Sequence, residues 1–224
     1  ALDSGEPLGM GEIDNLWKAH NQAAAKAGAP RLSKSDLRAA GNALAQGEQL
    51  VLIRKGGLIE PGSGFDVRAT TFVFYPTFEH QAVNYLREPY RRYFDEALQE
   101  RAPEGQVRIQ YGGTAVSSHE CRDPRLIDRL NRFHIYNDAF VSQRLKWQPD
   151  QPMAIVIVRA FRLSAPRLLA VSPRYAGCTS WVDLESSVSL SGAEPVLEDA
   201  AFHRRITELS WLLPSVPSRR ESTR

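Results

Sequence analysis

Residues 49–81 read QLVLIRKGGLIEPGSGFDVRATTFVFYPTFEHQ, and the predicted fold is organised around this stretch. Two runs within it, Gln49 to Arg54 and Thr70 to Tyr75, are rich in branched and aromatic residues, which is typical of β-strands. The sequence PGSG at Pro61 to Gly64 predicts a turn between the two runs. The stretch therefore predicts two strands joined by a polar connection.

Helical patterns lie on both sides of these strands. Apolar spacing, serine or threonine caps and terminal glycine or proline residues mark where each helix begins and ends. Pro76 ends the second strand, and Thr77 is suited to cap the helix that follows. The predicted helices run from Ile13 to Ala27, from about Leu37 to Gly47, from Thr77 to Leu86 and from Pro89 to about Glu100.

The second half of the chain also mixes strands and helices. Asp123 and Pro124 predict a helix start, and Phe133, Tyr136 and Phe140 continue with helical spacing. Gly112-Gly113 is predicted to end a strand. The remaining predicted elements are strands at Val107 to Tyr111, Met153 to Leu163 and Leu168 to Val171, and a last helix from Val196 to Leu213.

This order of elements lacks regular βαβ alternation and predicts an α+β fold. We expect a small mixed β-sheet packed with helices and preceded by an N-terminal helical extension. Residues 1–36 are predicted to form a flexible lead and that extension, residues 37–213 a single domain, and residues 214–224 a basic disordered tail. Met153 to Leu163 is expected to be central in the sheet. The predicted core includes Phe74, Ile155, Ile157 and Trp181.

Composition bounds the class of protein. The formal net charge of +2 is too small to indicate nucleic-acid binding by itself. The cysteines, Cys121 and Cys178, are far apart and form neither a disulfide framework nor a zinc motif. Apolar runs are too short to span a bilayer, and no export signal is recognised. We therefore expect a reduced, cytoplasmic protein without a membrane partner.

Four ordered motifs resemble the bacterial domain-of-unknown-function 1802 family: LRAAGNALAQGEQLVLIRKGGL, FVFYPTFEHQ, IVIVRAFRL and YAGCTSWVDL. The resemblance covers roughly Leu37 to Leu184 and leaves out the first predicted helix. It implies a restriction-endonuclease-like partner and a role in DNA restriction or other nucleic-acid processing. It carries over no catalytic residue.

The end of the first strand is a candidate phosphate site. Arg54 and Lys55 supply charge, and the backbone of Gly56 and Gly57 can approach an anion closely. The alternative interpretation is a basic strand end followed by a tight turn, in which glycine is needed for a positive φ angle. The sequence leaves both interpretations open.

Acidic and histidine residues after this strand raise a second hypothesis, a metal-dependent phosphodiesterase. Glu60, Asp66, Glu79 and His80 are of the types that hold a divalent ion and position an attacking water. Mg²⁺ or Mn²⁺ is implied only under this hypothesis. In the alternative interpretation, Thr77 caps a helix and Glu79 interacts favourably with the positive end of its dipole.

Two further interpretations rest on less specific sequence patterns. Cys178 is a thiolate nucleophile if a histidine lies beside it, although a buried structural cysteine is far more common. A small-molecule or protein-interaction module without nucleic acid also fits the composition.

A local excess of basic residues supports nucleic-acid binding. Between residues 122 and 146 there are six basic and three acidic residues. Basic side chains neutralise phosphates, whereas the aromatic residues of this segment have the spacing of a core stripe. The leading hypothesis is therefore an accessory protein that binds DNA or RNA, with phosphate-binding residues Arg54, Lys55, Gly56, Gly57, Arg125, Arg129 and Arg132.

Overall fold

The computed structural model describes residues 31–34, 38–55, 71–75, 83–99, 102–146, 149–150, 152–172 and 181–213. Within these ranges the strands are β1 (Arg31–Lys34), β2 (Val51–Lys55), β3 (Thr71–Tyr75), β4 (Gln106–Cys121), β5 (Met153–Ala170), β6 (Trp181–Asp183) and β7 (Glu194–Pro195). The α-helices are α1 (Arg38–Ala45), α2 (Arg92–Gln99), α3 (Pro124–Arg129), α4 (Asp138–Lys146) and α5 (Asp199–Ser210). Short 3₁₀ helices cover Val83–Tyr85, Glu88–Tyr90 and Asn131–Phe133.

The strands form one sheet in the order β2-β5-β4-β3-β1-β6, and β7 also pairs with β5. The pairing of β1 with β3 is parallel and the other pairings are antiparallel. This mixed sheet with its helices confirms the predicted α+β class. The predicted domain boundary at residue 37 leaves β1 in the N-terminal extension, whereas β1 pairs on both of its sides within the sheet.

The long antiparallel pair β4 and β5 lies in the interior of the sheet, because each of the two strands has a neighbour on both sides. Residues 153–161 of β5 are buried throughout, which confirms the predicted central position of this run. The predicted end of a strand at Gly112-Gly113 is wrong, because β4 continues through both glycines to Cys121. A Cβ atom on Gly112 would lie 2.5 Å from the Phe161 ring and 2.5 Å from the Phe72 carbonyl oxygen. Glycine is required here for close packing rather than for a turn.

The described residues confirm several predicted helix boundaries, whereas the helix predicted from Ile13 to Ala27 and the tail predicted at residues 214–224 lie outside them. α1 ends before Gly47, whose φ of 71° is a conformation that glycine adopts readily. Asp123 caps α3 by accepting a hydrogen bond from the backbone N–H of Arg125, and Pro124 is the first helical residue. The helix predicted from Pro89 is a 3₁₀ turn followed by α2, and the last helix is α5. Of the helix predicted from Thr77, the described part is the 3₁₀ turn at Val83–Tyr85.

The continuous helix predicted through Phe133, Tyr136 and Phe140 is wrong. The chain is extended at His134, and Tyr136 forms an antiparallel bridge with Leu86 before α4 begins. All three aromatic residues are nevertheless buried, and the Tyr136 and Phe140 rings stack with their centroids 4.0 Å apart. Helical spacing correctly predicted burial, but the element that produces it is interrupted.

Alternate residues of β2 and of the first half of β5 pack in two different clusters, one on each face of the sheet. On one face, Val51, Ile53 and Ile155 pack with apolar residues of α3, α4 and α5. On the other face, Leu52, Val156 and Val158 pack with Phe72, Phe74 and Leu44. Burial of Phe74, Ile155 and Ile157 confirms their predicted place in the core. The Trp181 side chain lies outside the described part of the chain.

Candidate functional site

The predicted site residues fall into two groups. Those of the phosphodiesterase hypothesis and the thiol hypothesis, together with the glycines after β2, lie outside the described residues: Gly56, Gly57, Glu60, Asp66, Glu79, His80 and Cys178. These assignments stay predictions. Among the residues that the structure describes, no group of three or more histidine, cysteine or carboxylate side chains is placed to hold a metal ion.

The Arg54 side chain is buried on one face of the sheet and is not exposed to solvent. This side chain is 2% exposed, and the Arg54 backbone is paired with Ala154 of β5. Val51 and Ile53 face the helices, so the alternation of a strand directs Arg54 to the opposite face. Arg54 therefore does not contribute to the exposed surface at this end of the sheet.

Lys55 is the last residue of β2 and lies at the end of the sheet from which the chain continues into α3. It is paired with Met153 of β5, and Met153 is paired with Cys121, the last residue of β4. Neighbouring strands lie about 4.8 Å apart, so the backbone of Lys55 is about 10 Å from that of Cys121. The end of β2 and the segment that begins at Arg122 therefore share one end of the sheet.

Arginines recur at three- and four-residue spacing through α3 and its flanks. We call Arg122, Arg125, Arg129 and Arg132 the arginine face; all four are exposed. The side chains of Arg125 and Arg132 are 86% and 81% exposed. Apolar residues between them, such as Leu126 and Leu130, are buried against the sheet. The amphipathic spacing thus directs the guanidinium groups to solvent.

Two carboxylates on the same segment reduce the charge of this face. Asp123 pairs with Arg125 at 3.0 Å, and the Arg125 side chain and backbone N–H lower the pKa of the Asp123 carboxyl. Asp128 is exposed. The pair with Asp123 also holds the Arg125 side chain at the start of α3, where Asp123 caps the helix.

The segment that carries Arg132 is held by buried polar contacts. His134 is 2% exposed; its Nε2 lies 3.1 Å from the Ile127 carbonyl oxygen, and its Nδ1 accepts a hydrogen bond from the Tyr136 N–H at 3.2 Å. Arg87 donates to the carbonyl oxygens of Asn131 and His134. Burial lowers the pKa of His134 to about 4. The ring is therefore neutral at pH 7, with Nε2 as its donor.

A cleft of about 500 Å³ opens beside Arg132. Its charged lining residues come from separate parts of the chain: Glu48, Arg92, Arg132, Arg205 and Glu208. Tyr90 also lines the cleft. Arg92 pairs with Glu48 at 2.5 Å, and Arg132 pairs with Glu208 at 3.8 Å. Arg132 therefore belongs both to the arginine face and to the cleft.

Arg205 supports one wall of the cleft. From α5 it donates to the carbonyl oxygens of Gly47, Glu48 and Arg132, the last two at 3.0 Å. Its guanidinium carbon lies 5.6 Å from the centre of the Phe133 ring. Arg205 thereby connects the turn before β2, the Arg132 segment and α5.

Sequence reasoning missed this cleft because no local pattern contains it. Glu48 follows α1, Arg92 lies in α2, and Arg205 lies in α5. Each residue by itself has the appearance of an ordinary solvated charge. Only the packing of the helices on the sheet brings them together.

Comparison with known proteins gives one family. Within the part of the chain that the structure describes, no helix is long and apolar enough to cross a membrane. No curated protein and no solved structure matches the chain. The family model described as "Domain of unknown function (DUF1802)" matches residues 37–208, which is most of the chain. The match agrees with the motif resemblance, and the chain belongs to the DUF1802 family.

Proposed function

We propose that the protein binds DNA or RNA through phosphate contacts made by the arginine face. The observation that supports the proposal is the repeated exposure of Arg122, Arg125, Arg129 and Arg132 on one segment. Guanidinium groups bind phosphate oxygens through paired hydrogen bonds. Phosphate contacts of this kind give affinity without reading sequence.

Lys55 extends the proposed surface. Its backbone lies at the same end of the sheet as Arg122, as the strand register requires. In this proposal, the protein is a cytoplasmic accessory component that acts beside a nucleic-acid enzyme. A restriction-endonuclease-like protein is the partner that we expect from the family resemblance.

Salt dependence of binding tests this proposal. We would measure the affinity for single- and double-stranded DNA and RNA over a range of salt concentrations. Four phosphate contacts predict a slope of about −3 to −4 in a plot of log affinity against log salt, because each contact contributes roughly 0.7–0.9. Replacing Arg122, Arg125 and Arg129 together by Gln should reduce the slope by about 2–3.

A matched control comes from the far end of β4. Arg108 is exposed and is removed from Cys121 by most of the length of that strand. Arg108→Gln removes one positive charge, as Arg129→Gln alone does. Arg129→Gln should reduce the salt slope by roughly 0.7–0.9, whereas Arg108→Gln should leave it unchanged. Absence of binding at low salt, or an equal loss in the Arg108 variant, would overturn the proposal. Repeating the assays with Mg²⁺ or Mn²⁺ would reveal cleavage if the phosphodiesterase hypothesis holds.

A further inference from the structure

We infer that the cleft beside the arginine face binds the terminal phosphate of a nucleic-acid strand. The inference rests on the proposed function and concerns a separate part of the same surface. Arg132 joins the two parts, because it is exposed on the arginine face and also lines the cleft. A strand that follows the face would therefore reach the cleft.

The size of the cleft suits the end of a strand rather than its middle. Its volume of about 500 Å³ lies within the range of small-molecule sites. Tyr90 lines this cleft and is partly exposed, so an aromatic side chain borders the space that a terminal nucleotide would occupy. A continuous duplex, in contrast, can contact only the open surface.

The charges of the cleft favour a phosphomonoester. A terminal phosphate carries about 1.5 to 2 negative charges at pH 7 and three acceptor oxygens, whereas an internal phosphodiester carries one charge. Arg92 and Arg132 lie on different segments of the lining, and Arg205 adds a third positive charge. Arg205 is hydrogen-bonded to backbone carbonyl oxygens, so Arg92 and Arg132 would bond the phosphate while Arg205 contributes charge beside it. Together these charges favour the additional negative charge of a strand end.

Glu48 pairs with Arg92 and Glu208 pairs with Arg132 when no ligand is bound. Both ion pairs are solvent-accessible: the side chains of Arg132 and Glu208 are 81% and 53% exposed, and those of Arg92 and Glu48 are 55% and 36% exposed. Exposed pairs of this kind contribute little stability, so a phosphate can replace a carboxylate at small cost. Removing Glu208 should therefore strengthen binding of a terminal phosphate, whereas it would weaken a site for cations.

The test compares oligonucleotides of one sequence that differ only at their ends. Each single strand carries a 5′-phosphate, a 3′-phosphate or hydroxyl groups at both ends. We expect one phosphorylated form to bind at least about tenfold more tightly than the hydroxyl form, as charge-assisted hydrogen bonds allow. Millimolar inorganic phosphate should compete and reduce this preference.

Variants then assign the preference to the cleft. Arg92→Gln should abolish it, and Arg92→Lys, which keeps the charge but loses paired hydrogen bonding, should retain part of it. Glu208→Gln should increase the preference several-fold. Glu104→Gln makes the same charge change at an exposed residue before β4 and should leave it unchanged.

The outcomes separate the two proposals. Equal affinity for phosphorylated and hydroxyl ends overturns the cleft inference, while salt-dependent binding of the hydroxyl form still supports the arginine face. A preference that survives Arg92→Gln, or that falls in Glu208→Gln, also overturns the inference. Absence of binding by every oligonucleotide overturns both.

Discussion

His134 shows how one buried side chain fixes the position of an exposed one. Its two ring nitrogens lie within hydrogen-bond distance of backbone groups on either side of the 3₁₀ turn that carries Arg132. Because the ring is almost fully buried, protonation in the folded protein is unfavourable. The position of the turn that carries Arg132 therefore depends on a neutral histidine.

The pH dependence of stability should report this histidine. Its pKa is about 4 in the folded protein and about 6.5 in the unfolded chain. The unfolded state therefore binds the proton first as the pH falls, so the contribution to stability is present above pH 6.5 and is lost toward pH 4. The loss should be about 3 kcal/mol and is measured by urea unfolding between pH 7 and pH 4.

His134→Asn should flatten this pH dependence, because asparagine retains an acceptor for the Tyr136 N–H but does not titrate. His119, whose pKa is also lowered by burial, provides the comparison. Its side chain is only partly buried, so His119→Asn should remove a smaller part of the pH dependence. A parent-like pH profile in His134→Asn would contradict the assignment.

Single residues were predicted well where their role is local. The Asp123-Pro124 pair indicated a helix start, and the cap is formed within that pair and its neighbour Arg125. Arg54 was placed at a strand end, but its burial follows from the strand pairing and from the layer that covers that face. The residues next to Arg54 in the sequence do not predict that a layer covers this face.

At the scale of elements, β4 shows why local signals can mislead. Gly112-Gly113 has the composition of a turn, yet both glycines are paired with β5. The reason lies about 50 residues away, where Phe161 and Val158 occupy the space that side chains at these positions would need. The interruption between Phe133 and Phe140 has a similar cause, the bridge from Tyr136 to Leu86.

Two alanine substitutions of glycine should therefore have opposite effects. Gly112→Ala should destabilise the protein by about 1–3 kcal/mol, because its Cβ would meet the Phe72 carbonyl oxygen at 2.5 Å. Gly41→Ala should stabilise it by about 0.5–1 kcal/mol, because Gly41 lies within α1 and its Cβ would have its nearest contact at 4.0 Å.

Chemical denaturation of both variants against the parent measures the two effects. The substitutions add the same methyl group, so general changes in hydrophobicity cancel in the comparison. Equal effects of the two variants would contradict the role assigned to Gly112 in close strand packing.

At the scale of the whole molecule, β1 joins distant parts of the chain. It is paired with β3 on one side and with β6 on the other, while the family match begins only at residue 37. The α+β class followed from the sequence because it needs only the order of elements. The place of β1 did not follow, since a four-residue strand has little pattern of its own.

Leu32→Pro tests whether β1 is an integral part of the sheet. Leu32 is paired with Val73 and Val182, and proline cannot donate a backbone hydrogen bond to either neighbour. We expect a loss of about 1–3 kcal/mol and a melting temperature lower by about 2–10 °C. Leu32→Val, which suits a strand, is the control, and an unchanged melting temperature in the proline variant would place β1 outside the stable sheet.

The position of β1 also has a consequence for the order of folding. β4 and β5 are separated by about 30 residues, whereas the paired residues Arg31 and Asp183 are separated by about 150 residues. Closing a longer loop costs more chain entropy, so long-range pairings form slowly. The β4–β5 pair should therefore form early and β1 should be inserted late. Until then β3, with five buried residues, is an open edge that can pair with another chain, so refolding yield should fall as protein concentration rises.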